Sequence, residues 1–353
     1  MGEGGENSQT PFTTAMNLNK SRATYVPKRY VLPLSDRPNT GLNPSDITLP
    51  IIDLSSLYHP SLRSGLINQI RSACKQTGSF QVINHGIPLP TMTDALEAAE
   101  EFFDLPLEKK VQLMSDNVHD PVRYGTSLNH RVDKVLFWRD FIKHYSHPTS
   151  EWIHLWPADP PSYREKMGDY TEALHTLQKE LMRVIMESLG LNPNYLYDEI
   201  EEGSQVMTVN CYPACPEPEL ALGMPPHSDY GSLTILLQSC PGLQMMDKSN
   251  NWFSVPETEG ALIVQLGDQL EVMSNGQYKS VIHRVTVNSE KKRFSIAGLH
   301  SLALDKKVKP ASELVDAQHP DSYKAFSFRD FLDFISGNDI RKARFINTLK
   351  REQ

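Results

Sequence analysis

The chain has 353 residues, 39% of them hydrophobic and 22% charged, with a net charge of −8; that is the balance of a soluble globular protein with room for one large domain or two small ones. No Lys/Arg-rich run stands out, which argues against a nucleic-acid partner, and the longest aliphatic runs, such as Ala261–Val264, are far too short to span a bilayer. Four cysteines, Cys74, Cys211, Cys215 and Cys240, make no disulfide framework and are expected to be free thiols. The first residues, MGEGGENSQTPF, lack the basic and apolar regions of a secretory signal, so a cytoplasmic protein is expected.

In chain order, residues 1–25 show no periodicity and are expected to be loose. A short strand is expected in LPIIDLSSL (49–57). Leu66, Ile67, Ile70 and Cys74 share one face of a helix ending near Gly78, and FQVINHGI (80–87) reads as a strand. ALEAAEEFFDLP (95–106) is helical and stopped by Pro106; Leu174, Leu177, Leu181, Val184 and Ile185 keep helical spacing up to Gly190, a plausible end cap. After residue 204 the pattern changes. Short apolar strands over 205–212, 232–239, 242–246, 261–266, 278–287 and 292–301, separated by turn residues, indicate an antiparallel sandwich or barrel. Residues 326–335 return to helix. The organisation expected is a loose tail (1–25), a helical region (26–203), a β-rich catalytic core (204–305) and a carboxyl-terminal helical segment (306–353).

The stretch PPHSDYGSLTILLQ (225–238) places His227 and Asp229 two apart, just before a core strand. A lone HxD is most often an ordinary turn. In KSVIHRVTVN (279–288), strand alternation puts His283 on the face of Val281, Val285 and Val287, directed into the β core, where an unpaired imidazole is costly. A lone inward histidine is more often a satisfied core residue, but this one follows Asp229 by 54 residues in the same set of strands. Two imidazoles and a carboxylate on one face of a metal suit Fe(II), because three positions stay open for a cosubstrate and dioxygen. In KKRFSIAGL (291–299), Arg293 and Ser295 share a face with Ala297 and Leu299; the guanidinium fork would suit a carboxylate. Thr208, Asn210 and Tyr212 share another face in VNCYPACPEPEL and the residues before it.

Taken together, HxD, a distal His, and RxS ten residues beyond it resemble the plant 2-oxoglutarate- and Fe(II)-dependent dioxygenases, in the subgroup holding flavonoid oxygenases, salicylate hydroxylases and hormone-modifying oxygenases. LPIIDLSSL, ACKQTGSFQVINHGI, EFFDLPLEKK, WRDFIKHYSHP, VNCYPACPEPEL, GLQMM and VQLGDQLEVMSNGQYKSVIHRV look like family segments in family order, over roughly residues 26 to 335. TGSF stands where an aromatic pair after glycine is usual, and NCYPAC replaces the common NYYPPC. The resemblance implies an α+β fold: a double-stranded β-helix (jelly-roll) core, with a helical first half and a carboxyl-terminal helix. It implies iron on His227, Asp229 and His283; 2-oxoglutarate held by Arg293 and Ser295, with Tyr212 and Asn210 near the metal end; dioxygen as oxidant; and ascorbate as reductant. Decarboxylation to succinate would be coupled to hydroxylation or desaturation of a small phenolic, flavonoid or terpenoid metabolite.

Substrate-facing residues are expected by strand parity: Phe141 and Lys143 in RDFIKHY, Thr208, Leu299 and Ser301, with Gly298 facing away. Lys143 is expected to carry its ammonium out to solvent. The cavity is therefore read as apolar with at most one cation. Phe328, Phe331 and Phe334 form a stripe read first as core and second as a lid. The partners expected are a small-molecule substrate, with no nucleic acid, no membrane and a monomeric state. Three rivals keep part of the pattern: an iron oxidase that does not use 2-oxoglutarate, a metabolite-binding module, and a zinc hydrolase, in which the Arg/Ser pair would have no role.

Overall fold

The structure is a computed structural model and describes residues 13–38, 48–128, 133–339 and 341–351. Among the described residues twelve strands form two sheets. They are β1 (Ile51–Asp53), β2 (Ser79–Ile83), β3 (Val122–Thr126), β4 (Asp140–His147), β5 (Ser204–Tyr212), β6 (Met224–His227), β7 (Leu233–Gln238), β8 (Leu243–Met246), β9 (Trp252–Ser254), β10 (Leu262–Leu266), β11 (His283–Val285) and β12 (Arg293–Ser301). The larger sheet runs β1-β2-β10-β7-β12-β5-β4-β3 and the smaller β6-β11-β8-β9. Apart from the parallel β1–β2 pair, neighbours are antiparallel. This is the α+β jelly-roll arrangement expected.

Alternation decides which face each residue serves. Val209 and Cys211 of β5, Leu233, Ile235 and Leu237 of β7, and Phe294 and Ile296 of β12 point outward. There they join one buried cluster with Leu66 and Ile70 of the helix Arg63–Gln76, Phe102 and Phe103 of the helix Leu89–Asp104, and Leu174 and Leu181 of the helix Tyr163–Ser188. Burying each such side chain contributes about 1.5–3 kcal/mol, so the helical first half is the outer wall of the sheet rather than a separate unit. Gly298 lies where this wall approaches closest: a Cβ there would stand 2.2 Å from Leu174 Cδ2.

The inner face is set by the same register. Arg293 pairs with Tyr212, Ser295 with Asn210, Ala297 with Thr208 and Leu299 with Val206 across β12 and β5. Phe141 pairs with Asn210 and Lys143 with Thr208 across β4 and β5, and Arg123 pairs with Lys143 across β3 and β4. Directly opposed residues share a face, so a single row system runs from β3 to β12.

Three expectations change. Residues 13–25 are not wholly loose: Ala15–Lys20 is a helix, and Ala15 and Met16 donate their N–H groups to the buried Asp140 carboxylate at 2.9 and 3.2 Å. The helix N-terminus joins the Thr126 and Tyr124 hydroxyls (2.8 and 3.3 Å) in satisfying this carboxylate, which no local pattern reveals; residues 1–12 of that expectation lie outside the described residues. The strand expected over 278–287 shrinks to β11, because the Ser280 N–H binds the Glu271 carboxylate (2.8 Å) and the Val281 N–H binds the Leu266 carbonyl (3.3 Å) instead of a strand neighbour. The short strands β6 and β9 were not expected. The closing helix is Phe328–Gly337, fixed at its start by a capping box of Ser327 and Asp330.

Candidate active site

His227 ends β6 and His283 begins β11, and the two are direct partners in the antiparallel register. Asp229 follows in the turn. One ligand atom from each of His227, Asp229 and His283 lies within 4.8 Å of the others. Asp229 Oδ1 is 3.7 Å from His227 Nε2 and 3.8 Å from His283 Nε2, and the imidazole centroids are 4.1 Å apart. Each imidazole is oriented by its other nitrogen. His227 Nδ1–H donates to the Pro225 carbonyl (2.8 Å) and His283 Nδ1–H to the Val281 carbonyl (3.3 Å), leaving both Nε2 lone pairs turned toward Asp229. That is how metal-ligating histidines are set. Burial, then the neighbouring His283, hold the His227 imidazole neutral by pushing its pKa down.

The turn carrying Asp229 has a rigid seat. Its carbonyl accepts from the Asp268 N–H (2.8 Å), the Gly231 carbonyl from the Gln269 N–H (3.0 Å), and the Ser232 carbonyl from the Gly267 N–H (3.0 Å). The chain packs there so closely that a Cβ on Gly267 would stand 2.2 Å from the Gly231 carbonyl oxygen. The start of the helix Asp268–Met273 thus anchors the turn, which explains how a tight polar turn can precede the apolar run of β7.

One cavity between the sheets receives all three triad residues. Arg293, Tyr212, Asn210, Phe141, Lys143, Thr208 and Leu299 line it as well. Arg293 is buried; Nε donates to the Cys240 carbonyl (3.0 Å), Nη2 to Gln238 Oε1 (2.9 Å), and Nη1 has no hydrogen-bond partner among the described residues. Its guanidinium stands 5.0 Å from the Tyr212 ring centroid. A buried guanidinium held on two sides with its Nη1 amino group unspent fits a carboxylate ligand, and three oriented metal-binding atoms fit a divalent ion.

Two expected site residues lie elsewhere. Ser301, at the far end of β12, does not line the cavity; it pairs with Ser204 and its hydroxyl donates to the Leu302 carbonyl (3.0 Å). Ser295 is buried and accepts from Asn210 Nδ2 (3.3 Å), next to the cavity wall without lining it. Lys143 does not extend its ammonium away from the protein as expected: half-buried, it lines the cavity and Nζ donates to the Val118 carbonyl (2.7 Å), with burial lowering its pKa to about 7. The cavity also holds two cations that the sequence reading missed, Arg123 and Arg139. Arg139 was legible in principle, since it shares parity with Phe141 and Lys143. Of the phenylalanine stripe, Phe328 and Phe331 line the cavity and stack on Tyr230 at 4.3 and 4.7 Å, whereas Phe334 packs on Phe345 at 5.3 Å.

Comparison with known proteins agrees with this geometry. Residues 203–301 match the model of the 2OG-Fe(II) oxygenase superfamily, and residues 49–159 match that of the non-haem dioxygenase in morphine synthesis N-terminal region. The chain is 45% identical over 312 residues to 2-oxoglutarate-dependent dioxygenase 21, chloroplastic, of Oryza sativa subsp. japonica, covering 88% of this chain and 93% of that protein. It is 43% identical over 323 residues to flavanone 3-dioxygenase 3 of the same organism, covering 90% and 98%. A crystal structure of JOX2 in complex with 2OG, Fe and JA superposes with a TM-score of 0.86 at 34% identity, covering 97% of this chain and 98% of that one.

Proposed function

This chain belongs to the 2-oxoglutarate- and Fe(II)-dependent oxygenase superfamily, and on that premise we propose that His227, Asp229 and His283 hold its iron and that Arg293 anchors its 2-oxoglutarate. It is a dioxygenase that oxidises a small metabolite with 2-oxoglutarate as cosubstrate. The observation that carries the residue assignment is a single cavity bearing both the oriented triad and the unspent Nη1 of a buried Arg293.

Iron bound at the triad supplies the redox chemistry that couples decarboxylation of 2-oxoglutarate to oxidation of a C–H bond. The chain's own residues supply position and exclusion of water. The carbonyls of Pro225 and Val281 fix the two imidazoles. Gln238 and the Cys240 carbonyl hold the Arg293 fork, so that its Nη1 would be available to the far carboxylate of the cosubstrate without reorganisation. Asn210 is fixed from two sides, accepting from Arg139 Nη1 (3.0 Å) and donating to Ser295, which supports a positioning role for Asn210 and Ser295 beside Tyr212. Phe328 and Phe331 of the closing helix, packed on Tyr230, cover the metal side of the cavity.

Hydroxylation is the outcome this reading takes first, with Leu236, Ala297 and Leu299 as the apolar wall beside the substrate. Iron-loaded protein supplied with 2-oxoglutarate and extracts of small plant metabolites is expected to release succinate together with a product heavier by one oxygen. A product lighter by two hydrogens would move the reading to desaturation, and oxidation without succinate would contradict the cosubstrate assignment.

A further inference from the structure

We propose that the substrate carries a carboxylate, held at the β3–β4 side of the cavity by Arg123, Arg139 and Lys143. The inference rests on the oxygenase reading above and names the substrate class of that same site.

The first observation is placement. Arg123 and Lys143 are directly opposed on β3 and β4, and Arg139 lies just before β4 with the parity of Phe141 and Lys143. All three line the cavity. Phe141 packs against two of them: its ring centroid is 5.1 Å from the Arg123 guanidinium carbon and 4.7 Å from that of Arg139. Two guanidinia gathered on one ring is a costly arrangement unless an anion joins them.

The second observation is that no counter-charge faces these cations inside the cavity: Asp116, Asp120 and Asp133 act on Arg123, Asp133 and Asp140 on Arg139, and Asp120 on Lys143, but none of these carboxylates lines the cavity. Among the described residues none of the three forms an ion pair. They bond to neutral acceptors only: Arg123 to the Ser115 and Leu128 carbonyls (2.7 and 2.8 Å), Arg139 to the Ser127 carbonyl and Asn210 Oδ1 (2.6 and 3.0 Å), and Lys143 to the Val118 carbonyl. Arg139 Nε has no hydrogen-bond partner among the described residues. The sole carboxylate lining the cavity among the described residues is Asp229, which belongs to the triad.

The third observation is the charge left over. A divalent iron, Asp229, dianionic 2-oxoglutarate and Arg293 are together neutral. Among the described residues the β3–β4 cations have no carboxylate facing them from within the cavity apart from that of the triad, and a buried charge without a close partner is unfavourable. A planar carboxylate matches a guanidinium fork. The remaining wall, including Val206, Leu236, Leu299 and Leu332, is apolar, so the body of the molecule is apolar and its acid group marks one end.

The test uses a leaf extract divided at neutral pH on an anion exchanger into retained and unretained fractions. Each is given to the iron-loaded enzyme with 2-oxoglutarate, and succinate is measured. Succinate above background is expected with the retained fraction. The responsible metabolite should lose at least ten-fold in kcat/KM in Lys143→Met, and as its methyl ester, while the KM for 2-oxoglutarate and the melting temperature stay as in the wild type. Arg123→Gln serves as the second variant. Succinate with the unretained fraction alone overturns the inference and leaves the oxygenase reading standing. Undiminished kcat/KM in both variants overturns it as well. Succinate with neither fraction takes down the oxygenase reading and the inference with it.

Discussion

Arg293 and Lys143 are both cations in the cavity, but their surroundings give them different duties. Arg293 is clamped by Gln238 and the Cys240 carbonyl, and the geometry of its fork is what matters. Arg293→Lys keeps the charge and loses the fork. A charge-assisted hydrogen bond is worth about 1.5–3 kcal/mol, so the KM for 2-oxoglutarate should rise about ten- to a hundred-fold while that for the substrate changes far less; the reverse pattern in steady-state kinetics would place Arg293 in the substrate pocket. Lys143 instead responds to pH. Burial, then the nearby Arg123, lower its pKa to about 7, so it is charged below that pH and neutral above it. Binding of an acidic substrate through Lys143 should therefore weaken as pH rises from 6 to 8.5, and the substrate KM of Lys143→Met should stay flat over that range. At this scale alternation correctly placed Tyr212, Thr208 and Leu299 on the cavity side, whereas the same parity carried Ser301 beyond the end of the cavity. The sequence was not legible for Arg123, whose segment DPVRYGT has no apolar alternation, nor for the destination of the Lys143 ammonium, which depends on the Val118 carbonyl arriving from a distant loop.

Among the elements, β12 separates the two faces of the sheet most sharply. Leu299 faces the cavity and Gly298 the helix Tyr163–Ser188. Leu299→Trp should block the substrate while 2-oxoglutarate is still consumed slowly, seen as succinate released without product. Gly298→Ala is no silent control, because its new Cβ would stand 2.2 Å from Leu174 Cδ2. Overpacking of this kind costs about 1–3 kcal/mol, expected as a lower denaturation midpoint rather than uncoupled turnover. The seat of the HxD turn makes a related prediction. Gly267→Ala drives a Cβ against the Gly231 carbonyl and should weaken both stability and iron affinity, although Gly267 ligates nothing; unchanged iron affinity would mean that the turn holds its shape without the seat. The long strands and helices were readable because their apolar periods are long. β6 escaped because MPPH carries two prolines and reads as a turn, and β9 because three residues hold no period.

For the molecule as a whole, the design is two sheets closed over a polar centre, with helices sealing the outer face of the larger one. The catalytic segments were recognisable because HxD, the distal His and RxS together resemble a known family's motif. The cationic wall was not, because it is assembled from β3 and the start of β4, and only the register of the large sheet brings it to the cavity shared with the triad. The account stands or falls on whether the three residues at that centre bind one metal. The most direct measurement is anaerobic titration of metal-free protein with Fe(II), comparing the wild type with His283→Ala and Asp229→Ala. One Fe(II) per chain is predicted for the wild type, and loss of that site in each variant without loss of the folded state. Wild-type stoichiometry and affinity in either variant would contradict the account.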